Sequence, residues 1–73
     1  MTTAIIKKQT QLMAERILAK RKKAGLSQDA LAELAGIDRK TINRIENGHF
    51  SPSMETFFRI AYAFKMNAKD LLK

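Results

Sequence analysis

Residues 28–47 read QDALAELAGIDRKTINRIEN, and the fold turns on this stretch. Two short helical patterns flank Ala35-Gly36-Ile37-Asp38, a link too short to fold its helices into an antiparallel pair. Such a turn suits helices that cross near a right angle. In the first pattern Leu31, Ala32 and Ala35 share one face, and Ser27 stands in the N-cap position. Ala32 provides the small side chain that a close crossing demands, and Gly36 tolerates the positive φ that the turn needs. The second pattern opens at Asp38 as N-cap and ends at Asn47–Gly48. Ile42 and Ile45, preceded by Ile37, give it an inward face.

With those isoleucines inward, Arg39, Lys40, Asn43, Arg44 and Asn47 point out. Each bears a hydrogen-bond donor and none is acidic, while Asp38 and Glu46 fall at the cap and off that face. Arginine and lysine suit guanine O6 and N7, and asparagine suits adenine N6 and N7, in the major groove. The two patterns therefore read as a helix-turn-helix whose second helix enters DNA.

Working outward, Gly25, Gly36, Gly48 and Pro52 divide the chain into short helices. Helix one is expected from about Thr10 to Ala24, with Met13, Ile17 and Ala24 at helical spacing and Gly25 at its C′ position. A fourth helix follows Ser53 as N-cap and lines up Phe57, Ile60, Ala61 and Phe64. Asn67 caps a last helix over Ala68–Leu72, whose Leu71 closes the core. No window alternates with a two-residue period, so the fold class is all-α. Residues 1–9 are expected as an N-terminal arm, either a flexible basic tail or an extended segment contacting a second subunit. Ile5-Ile6 favours packing over solvation, and residues 10–73 form one domain.

Composition narrows the partner. The chain has 73 residues and a net charge of +7, which suggests an anionic partner. Its first 24 residues hold Lys7, Lys8, Arg16, Lys20, Arg21, Lys22 and Lys23 against Glu15 alone. With no cysteine there is no disulfide or thiolate metal site, and His49 stands without a second ligand, so no metal is expected. Ser27 and Ser53 read as caps and not nucleophiles, and no glycine-rich phosphate loop appears, so neither an enzyme, a cofactor nor a small-molecule substrate is expected. MTTAIIKKQTQ lacks the apolar run of a signal peptide, and no stretch reaches the ~20 apolar residues of a membrane span, so a cytoplasmic location is expected.

The run GLSQDALAELAGIDRKTINRIENGHFSPSMETFFRIAYAF, residues 25–64, resembles the helix-turn-helix family of lambda and 434 repressors, Cro and XRE-type regulators. The likeness extends from about Arg16 to Leu72. Leu26-Ser27-Gln28, Leu31-Ala32, Ala35-Gly36-Ile37, Ile42, Ile45-Glu46-Asn47-Gly48 and Pro52 all fall in register. It implies a compact five-helix bundle that binds near-palindromic double-stranded DNA as a dimer. It further implies that Arg39, Lys40 and Arg44 are the main base readers, with Thr41 and Asn43 secondary. Gln28 and Asn47 then meet phosphates, the former helped by its backbone amide at a helix N-terminus. Arg21 and Glu46 match a largely buried structural ion pair. Lys20 departs from the family, where leucine is common, and Leu18 is expected to compensate.

Three features keep two readings each. Lys22 and Lys23 suit phosphate contact, or a solvated helix end whose dipole they favour. Phe58 and Tyr62, off the inner stripe of helix four, suit the core edge or a dimer contact. The implied function is a transcriptional repressor or autoregulator, of phage, restriction–modification or toxin–antitoxin type. The alternative is an antitoxin or adaptor whose main role is to bind a protein partner such as a toxin.

Overall fold

No glycine or proline precedes Gly25, and in the computed structural model, which describes residues 2–71, α1 runs unbroken over Thr3–Lys23. The boundary expected at residue 10 is thereby corrected. The Thr2 hydroxyl accepts a hydrogen bond from the Ile5 amide, which caps the helix two turns earlier than its apolar pattern begins. Residues 3–9 are helical, not an extended arm, because nothing in TAIIKKQ interrupts a helix once it is capped.

The remaining elements are α2 (Gln28–Ala35), α3 (Arg39–Glu46), α4 (Met54–Ala63) and α5 (Ala68–Leu71). The expected Leu72 end of the last helix lies outside the described residues. Ser27 and Ser53 accept from Ala30 and Thr56 amides, as caps should. Gly36 ends α2 at φ 71°, and the Ile37 amide reaches back to the Ala32 carbonyl at 2.9 Å. This reversal turns the chain sharply from α2 into α3.

One core joins all five helices. Ile17 from α1, Leu31 from α2, Ile42 and Ile45 from α3, Ile60 from α4 and Leu71 from α5 are all at or below 1% exposure. Full burial of such a side chain contributes roughly 1.5–3 kcal/mol each. Ala14 lies beside Ile17 in α1, whereas Ala24, expected on the same stripe, is exposed at the C-cap. Lys20 is exposed and Leu18 half-buried. The core-edge reading of Phe58 and Tyr62 is also corrected: they are 51% and 81% exposed.

A 21-residue α1 spans about 31 Å, against molecular extents of 34 × 23 × 22 Å. Its N-terminal turns therefore overhang the bundle, and every residue from Thr2 to Gln9 is exposed. At the root of this overhang the Thr10 hydroxyl lies 3.1 Å from that of Ser51 in the α3–α4 loop.

Candidate nucleic-acid interface

The outward side of α3 is held in place from beneath. Ile42 and Ile45 are fully buried, so rotation of the helix about its axis would pull both out of the core. Glu46, on the flank of α3, receives Nε of Arg21 at 2.7 Å and Nη2 at 3.0 Å, a two-pronged ion pair. The Arg21 Nη1 group donates to the Leu26 carbonyl at 2.9 Å. With side-chain exposures of 13% and 3%, Arg21 and Glu46 form the buried pair that the family resemblance implied. The Glu46 carboxylate, hydrogen bonded to the guanidinium, raises the Arg21 pKa above its ordinary value, against a smaller opposing effect of burial.

The same carboxylate starts a relay of amides. Gln28 Nε2 donates to Glu46 Oε1 at 3.0 Å, and Gln28 Oε1 accepts from Asn43 at 3.3 Å. Asn43 Oδ1 in turn accepts from Asn47 at 3.0 Å. The relay joins α1, α2 and α3 and ends on the exposed ridge. Gln28 thus spends its side chain on the scaffold, leaving its backbone amide, at the start of α2, as its group for an anion. Nothing in the sequence pattern revealed this strut, because Gln28, Asn43 and Asn47 are each read separately as DNA contacts.

Arg39, Lys40 and Arg44 project from the ridge and are all exposed. The Arg44 guanidinium lies 4.9 Å from the Phe50 ring centroid, a cation–π contact that steers the side chain along the surface. Arg39 Nε stands 3.5 Å from Asp29 of α2, with both side chains well exposed. Such a pair is weak and screened by salt, so it opens readily to a phosphate or base. Asp29 is an acid beside the ridge that the one-helix reading of α3 missed.

Asp38 occupies the N-cap position without a side-chain bond to the helix backbone. Its carboxylate instead accepts from the Thr41 hydroxyl, which lowers the Asp38 pKa. Thr41 has one hydroxyl proton and has used it here, so toward a base it can only accept.

The two lysines expected at phosphates part company. Lys22 and Lys23 are both exposed in the last turn of α1. Lys23, however, lines a shallow depression with Lys20, Ala63, Phe64 and Met66, formed by α1 and the α4–α5 turn. That depression contains no residue of α3. Among the described residues there is no cluster of three or more His, Cys, Asp or Glu that could hold a metal ion. No described helix is long and apolar enough to cross a membrane.

Comparison with known proteins agrees with this geometry. The helix-turn-helix family model matches residues 17–71. An uncharacterised HTH-type transcriptional regulator from Archaeoglobus fulgidus is 37% identical over 59 residues, covering 81% of this chain and 84% of the relative. The restriction–modification controller protein C.AhdI from Aeromonas hydrophila superposes with a TM-score of 0.82 at 29% identity, over 85% of this chain and 94% of that one. The P22 c2 repressor, solved in complex with a synthetic operator, superposes at 0.76 with 33% identity, over 84% and 92% of the two chains. The family model begins at residue 17, inside α1. The chain belongs to the helix-turn-helix family of DNA-binding transcriptional regulators.

Proposed function

We propose that this protein is a repressor or autoregulator that occupies a near-palindromic operator as a homodimer, with α3 in the major groove. It acts in the cytoplasm by occupancy and performs no chemistry. One observation carries the reading: Ile42 and Ile45 are fully buried, so Arg39, Lys40, Asn43, Arg44 and Asn47 form a ridge of donors, with Glu46 neutralised beneath it. Arg39, Lys40 and Arg44 read bases, with Asn43 and Thr41 in support. The Gln28 backbone amide, Asn47 and Lys22 hold phosphates and fix the register. Lys23 lines the depression beside the α4–α5 turn, which favours the solvated helix end for it.

Two α3 helices in a dimer would sit about 34 Å apart, one turn of B-DNA. Selection of bound sites from random duplexes, with stoichiometry measured on the winning sequence, tests this. Two half-sites about one turn apart and two chains per duplex are expected. Equal binding to all sequences at moderate salt would overturn it.

A second reading has support in the exposed Leu34, Phe58 and Tyr62, which fit a protein partner such as a toxin. In that case DNA binding would serve autoregulation of the pair. Co-purification with the product of a neighbouring gene, with operator affinity altered by that product, distinguishes it.

A further inference from the structure

Six large hydrophobic side chains stay exposed among the described residues, and they fall in two places. Ile5 and Ile6, 48% and 50% exposed, sit on the overhanging end of α1. Leu34, Met54, Phe58 and Tyr62 lie on the α2–α4 side, the last three spaced i, i+4, i+8 on one stripe of α4. Between α2 and α4 runs an open groove lined by Leu34, Phe58 and Tyr62.

The two places carry opposite charge. Ile5-Ile6 is followed at once by Lys7-Lys8. The groove is rimmed by Glu33, Glu55 and Arg59. Arg59 is already engaged, donating to Glu55 at 3.2 Å and to the Ala35 carbonyl at 3.5 Å. Two carboxylates against one guanidinium leave the rim one net negative charge, on a chain whose total is +7. Pairing two α1 ends would gather four lysines, and pairing two grooves would bring their rim acids together. Joining an α1 end to a groove satisfies both the apolar surfaces and the charges.

This contact cannot form within one chain. The overhang is a continuous helix whose root is tied by Thr10 to Ser51, so Ile5 cannot bend back to α4. We infer that the overhanging turn of α1, residues 3–9, inserts Ile5 and Ile6 into the α2–α4 groove of a second copy, with Lys7 and Lys8 against Glu33 and Glu55. Two such contacts, one in each direction, close a two-fold dimer. Each is small, so the dimer belongs at the low end of stable interfaces, well under ~1,600 Å² in total. The inference deepens the homodimer reading above by assigning its surface.

Sedimentation velocity of the full chain over a concentration series, without DNA, tests it. Ile5→Glu/Ile6→Glu and Phe58→Glu/Tyr62→Glu alter exposed positions only, and unchanged circular dichroism and melting confirm their folds. Each variant alone should lose at least tenfold in dimer affinity. Mixed together they should recover part of it, because one intact α1 end then meets one intact groove. Lys7→Glu/Lys8→Glu should likewise lose association, and mixing with Glu33→Lys/Glu55→Lys should restore it. If the Ile5/Ile6 variant dimerises like wild type while the Phe58/Tyr62 variant does not, grooves pair with each other and the inference is overturned. A dimer indifferent to all these changes, or a monomer at every concentration, overturns this surface, while the operator-bound homodimer stands or falls on the stoichiometry measured on the duplex. Base reading is scored separately by the duplex selection.

Discussion

Arg21 of α1 and Glu46 of α3 meet at 2.7 Å across 25 residues of sequence, beneath the donor-bearing ridge of α3. Glu46 is the acid within α3 itself, and its charge is taken up by Arg21 and Gln28. The pair thus couples the position of α3 to α1, and in the proposed binding mode it would keep a carboxylate from repelling the duplex.

Breaking one side of this pair should cost far more than removing both. Arg21→Ala leaves a carboxylate at 3% side-chain exposure with Gln28 as its remaining donor. A loss of about 3 kcal/mol is expected, since an uncompensated buried charge costs roughly that much. Arg21→Met/Glu46→Met should recover more than half of it. Urea denaturation of the three proteins gives the comparison, and equal losses in the single and double variants would count against desolvation as the cause.

The ridge and the helix end should respond differently to DNA sequence. Arg44→Ala should cost about 1–3 kcal/mol at one base pair per half-site and little on scrambled duplex. Lys22→Ala should weaken both alike and reduce the slope of log K against log salt by about 0.9 for each phosphate that the lysine neutralises. Electrophoretic shifts over a salt series on both duplexes separate the two roles. Equal weakening on both duplexes for Arg44→Ala would remove it from the base readers.

Gly36 and Gly25 share a left-handed backbone, at φ 71° and 73°, but not the same surroundings. A Cβ at Gly36 would meet Arg59 Nη1 at 2.9 Å, whereas one at Gly25 meets nothing within 4 Å. Gly25→Ala should therefore cost only backbone strain, about 1–2 kcal/mol. Gly36→Ala should cost only slightly more, because the flexible end of Arg59 must also swing off the Ala35 carbonyl. Melting temperatures of Gly36→Ala with and without Arg59→Ala measure that extra share. Identical melting of the Gly25 and Gly36 variants would refute it.

The Asp38–Thr41 contact should leave a pH signature. The Thr41 hydroxyl lowers the folded-state Asp38 pKa, so its stabilisation is complete above the unfolded value near ~3.9 and fades as pH falls through the lower folded value. Thr41→Val should melt below wild type at neutral pH, with the gap closing in strong acid. A gap that stays constant down to pH values below both pKa values would show that the hydroxyl acts through something other than the ionised carboxylate.

The helix-turn-helix and the inward isoleucines were legible because both depend on local rules. Ser27 caps, Gly36 permits a left-handed turn, and a 3.6-residue period sends Ile42 and Ile45 one way and the cations the other. Three things were not legible. The start of α1 was hidden because residues 3–9 lack an apolar stripe, and helical propensity with a Thr2 cap suffices to extend a helix already held by the core. The exposure of Phe58 and Tyr62 depended on which face of α4 met α2, a matter of three-dimensional packing. The relay from Glu46 through Gln28 to Asn43 joins residues up to 18 apart, and only the crossing of α2 over α3 brings their amides within hydrogen-bonding distance. Periodicity assigns each side chain to a face of its own helix. Which faces then meet is decided when the helices pack, and that step determined both the scaffold under the ridge and the uncovered groove.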